Sequence, residues 1–194
     1  MKLEVTRKRE FIPSQWSGGK TTQLAIFPKD AGYLDRNFQF RLSTSELAVE
    51  ESIFTFLPGV SRVLLVLDGE LCIHHPGRYA KVLKKFYTDT FMGDWQTRSS
   101  GRATDFNLMT TGSIHGHLEG ITLRKGSSRN IKLSEIRDVA GIYSFKGEHT
   151  IEVMDHKVEL SAGDNLLLFT DNKADILRIS SKTTGELVLV EIQF

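Results

Sequence analysis

Short segments of alternating apolar and polar residues, each ended by turn-forming residues, constrain the fold of this chain most. In FQFRLSTSEL (38–47), Phe40 and Leu42 fall on one face of an extended chain. Arg41 and Ser43 fall on the opposite face. A period of two residues is typical of strands, and no segment shows a sustained period of 3.6 residues with a helix cap. The sequence therefore predicts a mainly β protein with little helix.

Turn signals separate the apolar runs along the whole chain. The Asp-Gly pair at 68–69 lies between two apolar runs, and it predicts a hairpin because both residue types adopt positive φ readily. Lys-Gly at 146–147 and Asp-His at 155–156 interrupt a later apolar stretch in the same way. The segment HPGRYAKVLKKF (75–86) suits either a helical turn or a loop that leads into a strand.

Two stretches share one order of features and indicate an internal repeat. Residues 64–95 and 142–169 each contain a strand, a turn with glycine, a second strand, an intervening piece and a Gly-Asp pair. A repeated unit of this kind predicts two related β-barrels or sandwiches in one chain. We place the first barrel at residues 1–110, with N-terminal strands that both barrels could share, and the second at 111–194.

Charge balance and the single cysteine exclude several classes of protein. The chain has 25 basic and 24 acidic residues, and a net charge of +1 gives no field that attracts nucleic acid or an anionic membrane. Cys72 has no disulfide partner within the chain, suits a reducing compartment and is expected to be buried. The start, MKLEVTRKREF, has no apolar signal segment, and no run approaches the roughly 18 apolar residues of a membrane helix. We therefore expect a cytoplasmic protein with no nucleic-acid or membrane partner.

The stretch HGHLE (115–119) has some features of a metal site. His115 and His117 alternate and share a strand face, with Cα atoms about 6.5 Å apart. Glu119 lies about 13 Å from His115 along an extended strand, so the three side chains cannot close on one ion unless the chain bends. Because Gly112, Gly116 and neighbouring residues are weak strand formers, we interpret this stretch as a solvated loop between the barrels. We assign no metal and no cofactor, and keep His115 and His117 as weak metal candidates.

The stretch DFNLM places a polar pair on a predicted strand. Asp105 and Asn107 share one face, and Phe106 and Leu108 share the other. An inward polar pair in a small barrel is costly unless it is hydrogen-bonded or holds a ligand, whereas an outward pair is simply solvated. The periodicity alone favours the outward interpretation.

Several motifs together resemble the HutD/Ves family of bacterial proteins. They lie in the family's order between about Trp16 and Met109, and the later Gly-Glu and Ala-Gly-Asp repeat follows more loosely: QWSGGKTTQLAIFP, FRLSTSELA, FLPGVSRVLLVLDGEL, FMGDW and DFNLM. The resemblance implies a bicupin, which is two cupin-like β-barrels or sandwiches in one chain, without the usual cupin metal signature. It also implies a link to histidine utilisation or a stress response, with no firmly attached catalytic activity and with a role in binding a small acidic intermediate.

The resemblance also implies a set of ligand-binding residues. Within that set, Arg41 would form a bidentate pair with a ligand carboxylate, and the backbone N–H groups of Gly18 and Gly19 would approach an anion closely. Asp105 would pair with Arg41 or Arg62 or accept from a ligand donor, and Asn107 would orient a small polar molecule. The full set is Trp16, Gly18, Gly19, Thr21, Arg41, Ser43, Arg62, Asp105 and Asn107.

The chain departs from the family's pattern at two places. Ser17 and Lys20 stand where the family usually has an Asn before the opening glycines and a Gly after them. After Met109 the chain reads TTGSIHGHLEG, where the family often has arginines. If those arginines contact an anion, this chain binds a different ligand.

We therefore expect a non-catalytic protein that binds a small molecule, such as a small carboxylate, and regulates histidine or related amino-acid catabolism or a stress response. One alternative is a metal-dependent cupin enzyme that uses His115 and His117. Another is a protein-interaction module without a ligand. A homodimer that forms through sheet edges also stays open.

Overall fold

The computed structural model describes residues 2–48, 51–133, 137–169 and 176–194, which form nineteen strands and one short 3-10 helix, Lys8–Glu10. The mainly β prediction is confirmed. In the described residues, no helix is long and apolar enough to cross a membrane. The strands are β1 (Lys2–Thr6), β2 (Pro13–Trp16), β3 (Gly19–Phe27), β4 (Phe40–Leu47), β5 (Glu51–Ile53), β6 (Val60–Gly69), β7 (Leu71–His75), β8 (Tyr79–Leu83), β9 (Thr88–Met92), β10 (Arg98–Ser100), β11 (Ala103–Thr111), β12 (His115–Leu123), β13 (Ser128–Lys132), β14 (Val139–Lys146), β15 (His149–Val153), β16 (His156–Leu160), β17 (Asn165–Phe169), β18 (Ile176–Ser181) and β19 (Gly185–Gln193).

The chain divides into two compact units. Phe11–Ile114 forms one unit, which we call the cavity unit, with sheets of order β2-β3-β4-β11-β6-β9 and β5-β10-β7-β8. Met1–Glu10 and His115–Phe194 form the other, which we call the filled unit, with sheets of order β1-β17-β14-β19-β12 and β13-β18-β15-β16. The assignment of the two folding domains to 1–110 and 111–194 stays a prediction. The N-terminal strand β1 pairs with β17 and so belongs with the C-terminal half of the chain.

The two units repeat one topology. The order β4-β11-β6-β9 in the cavity unit matches β12-β19-β14-β17 in the filled unit, and β5-β10-β7-β8 matches β13-β18-β15-β16. The register shift between β11 and β6 comes immediately before Asp105, and the shift between β19 and β14 comes immediately before Leu187. Asp105 and Leu187 therefore hold equivalent positions, and so do Asn107 and Leu189 two residues further on.

The predicted hairpin at 68–69 is wrong, because β6 and β7 lie in different sheets. Gly69 has a φ of 80°, and a Cβ there would overlap the carbonyl oxygen of Arg102. Residues 146–147 likewise carry the chain from β14 to β15, which lie in different sheets. A hairpin does join β15 and β16, through residues 154–155. Turn-forming residues thus report a sharp change of direction but do not determine which strands pair.

Three other expectations from the sequence are corrected by the structure. The stretch 115–123, interpreted as part of a loop, forms strand β12 and pairs with β19 along its length. Cross-strand pairing outweighs the weak strand propensity of its glycines. Residues 79–83, where a helical turn was an option, form β8. Cys72 lies on β7 and is partly exposed rather than buried.

The interiors of the two units differ in composition. In the filled unit, side chains of Leu, Ile, Val and Ala form one aliphatic cluster that includes Ile121, Ile142 and Leu187. In the cavity unit, an apolar cluster that includes Leu64, Leu71 and Phe91 occupies only part of the interior. The same arrangement of strands therefore surrounds two different kinds of interior.

Candidate functional site

A cavity of about 330 Å³ lies within the cavity unit. Its polar wall comes from the adjacent strands β4, β11 and β6, which contribute Arg41 and Ser43, Asp105 and Asn107, and Arg62. Asn107 lies opposite Ser43 in the ladder, so alternate residues of these strands share one face. Asp105 and Asn107 are only 2% and 4% exposed, so the outward interpretation of the DFNLM stretch is wrong.

Arg62 and Asp105 are connected through the side chain of Asn107. The Arg62 Nη2 donates to Asn107 Oδ1 over 3.4 Å, and Asn107 Nδ2 donates to Asp105 Oδ1 over 3.4 Å. Both hydrogen bonds are long and therefore weak. The Nε of Arg62 is buried and finds no hydrogen-bond partner among the residues that the structure describes. A buried donor without a partner costs about 1–3 kcal/mol, so a ligand acceptor would relieve this cost.

Arg41 is held by its neighbours more firmly than Arg62. Its Nε donates to Gln23 Oε1 over 2.8 Å, and its Nη1 donates to Ser43 Oγ over 3.1 Å. Its guanidinium carbon lies 4.3 Å from the ring centroid of Tyr33, a cation–π distance. These contacts fix the position of the guanidinium in the cavity wall.

Burial changes the ionisation of the charged residues in the cavity. It raises the pKa of Asp105 to about 7, although the hydrogen bond from Asn107 and the charge of Arg62 act in the opposite direction. Burial lowers the pKa of Arg62 to about 10 and also lowers the pKa of Arg41, with Arg62 remaining protonated at neutral pH. Near pH 7 the two arginines are therefore only partly offset by Asp105, and the cavity favours an anion.

The opening motif supplies one side of the cavity through a chain of hydroxyl groups. The indole Nε1 of Trp16 donates to Thr21 Oγ1 over 3.1 Å, and Thr21 Oγ1 lies 2.9 Å from Ser45 Oγ. A Cβ at Gly18 would overlap the ring of Trp16, and a Cβ at Gly19 would overlap a backbone carbonyl of β4. The two glycines thus let this segment pack closely.

The structure brings seven of the nine predicted binding residues to the cavity: Trp16, Thr21, Arg41, Ser43, Arg62, Asp105 and Asn107. Gly18 and Gly19 are not among the described residues that line it. Their predicted contact with an anion stays a prediction. The sequence reasoning missed nine of the described residues in the wall, among them Tyr33 and Phe54, and it missed Gln23, which accepts from Arg41. The alternation in β3, where Gln23 pairs with Ser43, could have indicated Gln23, but Tyr33 lies outside any strand.

His115 and His117 lie elsewhere, in the filled unit. They line a groove of about 400 Å³ together with Arg137, Glu191 and neighbouring residues. Both histidines are exposed, and Glu119 forms an ion pair with a nearby arginine. Among the described residues, no three His, Cys, Asp or Glu side chains are placed together to hold a metal ion.

His75 forms a buried network that the sequence did not indicate. Its Nδ1 lies 2.9 Å from Thr97 Oγ1, and its Nε2 lies 3.0 Å from Asp89 Oδ2. Asp89 also accepts a hydrogen bond from Tyr79 over 3.2 Å. Both ring nitrogens are paired, so we interpret His75 as a hydrogen-bonded packing residue. His74 is exposed, as the alternation of adjacent strand residues predicts.

The HutD family model matches residues 8–189. The chain belongs to the HutD family. This membership confirms the resemblance seen in the motifs of its first half. No match of significance was found among curated proteins.

Solved structures show the same fold as this HutD-family chain. A conserved protein of unknown function from Pseudomonas aeruginosa PAO1, PA5104, is 18% identical with a TM-score of 0.82, and the match covers 100% of both chains. HutD from Pseudomonas fluorescens SBW25 is 25% identical with a TM-score of 0.72 over 99% of this chain and 98% of that one. The bacterial pirin YhhW from Escherichia coli, in complex with nickel(II), is 12% identical with a TM-score of 0.70 over 98% of each chain. The fold is therefore cupin-like.

Proposed function

We propose that this HutD-family protein binds a small carboxylate in the cavity unit and acts as a non-catalytic regulator. The observation that carries the proposal is the buried guanidinium of Arg62, whose Nε has no hydrogen-bond partner in the described part of the chain. A carboxylate is the group that a guanidinium binds best, because its two oxygens match the planar fork of N–H donors.

The rest of the cavity supports a small polar ligand. Its volume of about 330 Å³ lies at the lower end of the roughly 300–1,000 Å³ typical of small-molecule sites. The wall offers neutral hydrogen-bonding groups from Thr21, Ser43 and Asn107. The ring of Phe54 packs against Arg62, with 4.7 Å between the ring centroid and the Cζ of the guanidinium. A few polar groups in a partly apolar wall are typical of sites that select one orientation of a ligand.

Membership of the HutD family supports the biological part of the proposal. The role we infer is regulation of histidine or related amino-acid catabolism, with a stress response as the other role implied by the family. In either role the ligand would be an acidic metabolite, and the protein would respond to its concentration. The cytoplasm is the compartment that suits this role.

Calorimetry with N-formylglutamate, glutamate and urocanate at pH 7 tests the proposal. We expect at least one of these to bind. Replacing Arg62 by Met should weaken that binding about 100-fold, because truncating one partner of a buried charge pair costs about 2–5 kcal/mol. The matched control is Arg98→Met, on an exposed position of β10, which should bind like the wild type.

Two results would overturn the proposal. The first is an absence of binding heat for all three compounds with folded protein, which would favour the interaction-module alternative. The second is a stoichiometric transition metal in the purified protein that is lost in the His117→Ala variant, which would favour the metal-dependent enzyme.

A further inference from the structure

Asp105 is the one carboxyl group among the described residues that line the cavity. The other titratable groups that line the cavity are Arg62 from β6, whose charge acts on Asp105, Arg41 from β4 and Tyr33 from the segment between β3 and β4. The polar residues that β2, β3 and β5 add to the wall carry hydroxyl or indole groups. Lys20 and Glu46 pair with each other over 2.9 Å at positions that alternate with the cavity-facing residues of β3 and β4.

A ligand carboxylate at Arg62 would approach the carboxyl of Asp105 closely. The side chain of Asn107 bridges the guanidinium of Arg62 and the carboxyl of Asp105, with one hydrogen bond of 3.4 Å to each. Two carboxylates placed close together in a partly enclosed cavity repel each other, and one of them takes up a proton. The ligand carboxylate pairs directly with the guanidinium, so it keeps its charge, and Asp105 is the group that is neutralised.

We infer that Asp105 couples ligand binding in this cavity to the uptake of one proton, so that a carboxylate enters as the side chain of Asp105 changes from carboxylate to carboxylic acid. The proton comes from solvent, and the ligand stays ionised. This inference rests on the proposed function. In the acid form, Asp105 gains an O–H donor and the charge of the two arginines is left for the ligand.

The ionisation of Asp105 supports this coupling. Burial raises the pKa of Asp105 to about 7 in the empty cavity, so the proton is available near neutral pH. A bound anion raises that pKa further. The affinity of the cavity for the carboxylate should therefore be constant well below pH 7. Above pH 7 it should fall about tenfold per pH unit, as long as binding requires the uptake of one proton.

Titration with glutarate from pH 6 to pH 9 tests the inference, because glutarate is predominantly a dianion throughout this range. The Kd of the wild type and of the matched control Asp155→Asn, an exposed position between β15 and β16, should rise about tenfold per pH unit above 7. The Kd of Asp105→Asn should vary by less than about twofold. Calorimetry in two buffers at pH 8 should detect uptake of about one proton by the wild type and none by Asp105→Asn.

The outcomes separate the inference from the proposed function. Binding by the wild type that does not change from pH 6 to pH 9 overturns the inference alone, as does a pH dependence that persists in Asp105→Asn. Failure of glutarate to bind at pH 6 overturns the inference. If N-formylglutamate, glutamate and urocanate also give no binding heat, the proposed function is overturned as well. If Asp105→Asn does not fold, carbon-13 NMR of the Asp105 carboxyl in the wild type decides: saturating glutarate should raise its pKa by at least about two units, and an unchanged pKa overturns the inference.

Discussion

The two units of this protein place different side chains at the same positions of one fold. Asp105 and Asn107 of the cavity unit are equivalent to Leu187 and Leu189 of the filled unit, because Asp105 and Leu187 each follow the same register shift directly. The leucines belong to a continuous aliphatic cluster, whereas Asp105 and Asn107 line a cavity. The comparison shows that the repeated strands form the same framework in both units. A few inward-facing residues then decide whether the interior of a unit is packed or left open for a ligand.

The difference has a cost in stability. Burying a charged group without full hydrogen bonding is unfavourable, and the wall of the cavity contains two arginines and a carboxyl. The filled unit has no such residues in its aliphatic cluster. Positions where a fold departs from simple apolar packing are candidates for function, and in this protein several of them line the cavity.

The largest expected effect comes from placing a carboxyl group in the filled unit. Leu187→Asp copies Asp105 into an interior without an arginine partner in its cluster, so we expect a loss of about 5 kcal/mol in the free energy of unfolding at pH 8. Urea denaturation measures it, with Leu187→Met as the volume-matched control, which should lose less than about 1.5 kcal/mol. Equal stability of the two variants would show that the two interiors do not differ as described.

A smaller effect is expected from removing the charge of Asp105. Its pKa is raised to about 7 from an ordinary 3.8, so the folded state binds the proton more tightly than the unfolded state. The stability present below about pH 4 is therefore lost as the pH rises through 7, and a shift of about three units corresponds to about 4 kcal/mol. We expect Asp105→Asn to be more stable than the wild type by about 3 kcal/mol at pH 8 and by almost nothing at pH 4, in urea denaturation. The same gain at both pH values would exclude ionisation as its cause.

A third prediction makes the cavity unit resemble the filled unit in one side chain. Asn107→Leu introduces the residue found at the equivalent position 189 and removes the link between Arg62 and Asp105. We expect about 30-fold weaker binding of the carboxylate identified by calorimetry, a loss of about 2 kcal/mol, because polar groups of the wall lose their partner. Asn130→Leu, on an exposed position of β13, is the matched control and should bind normally. Normal binding by Asn107→Leu would remove Asn107 from the site.

The smallest effect concerns the edge of the cavity. Trp16→Phe keeps an aromatic ring but removes the indole N–H that donates to Thr21. Since Trp16 is 39% exposed, we expect only about threefold weaker binding, equivalent to about 0.6 kcal/mol. Fluorescence cannot report on this variant directly, so calorimetry is the measurement. A loss as large as that of Asn107→Leu would mean that Trp16 contacts the ligand rather than enclosing the cavity.

The sequence predicted the fold class and seven of the sixteen described residues that line the cavity. Alternation along β4 separates Arg41 and Ser43 from Phe40 and Leu42, and this separation holds in the structure, where all four are buried. The alternation does not say which face is inside when both faces are buried. For that reason periodicity alone favoured an exposed Asp105, and the inward position came only from the resemblance to a family.

Other features depended on long-range pairing that local residues do not encode. The glycine-rich stretch around Gly116 and Gly120 forms a strand because β19 pairs with it over its whole length. The Asp-Gly pair at 68–69 turns the chain toward another sheet rather than back on itself. The network of His75 needs Thr97 and Asp89, which come from separate parts of the chain.

Backbone NMR during titration with the carboxylate that binds most tightly tests the central claim directly. We predict saturable shifts of the amides at Arg41, Ser43, Arg62 and Asn107, with the equivalent amide of Leu189 unchanged. Saturable shifts confined to the groove of His115 and His117, or to no amide at all, would contradict the assignment of the ligand site to the cavity unit.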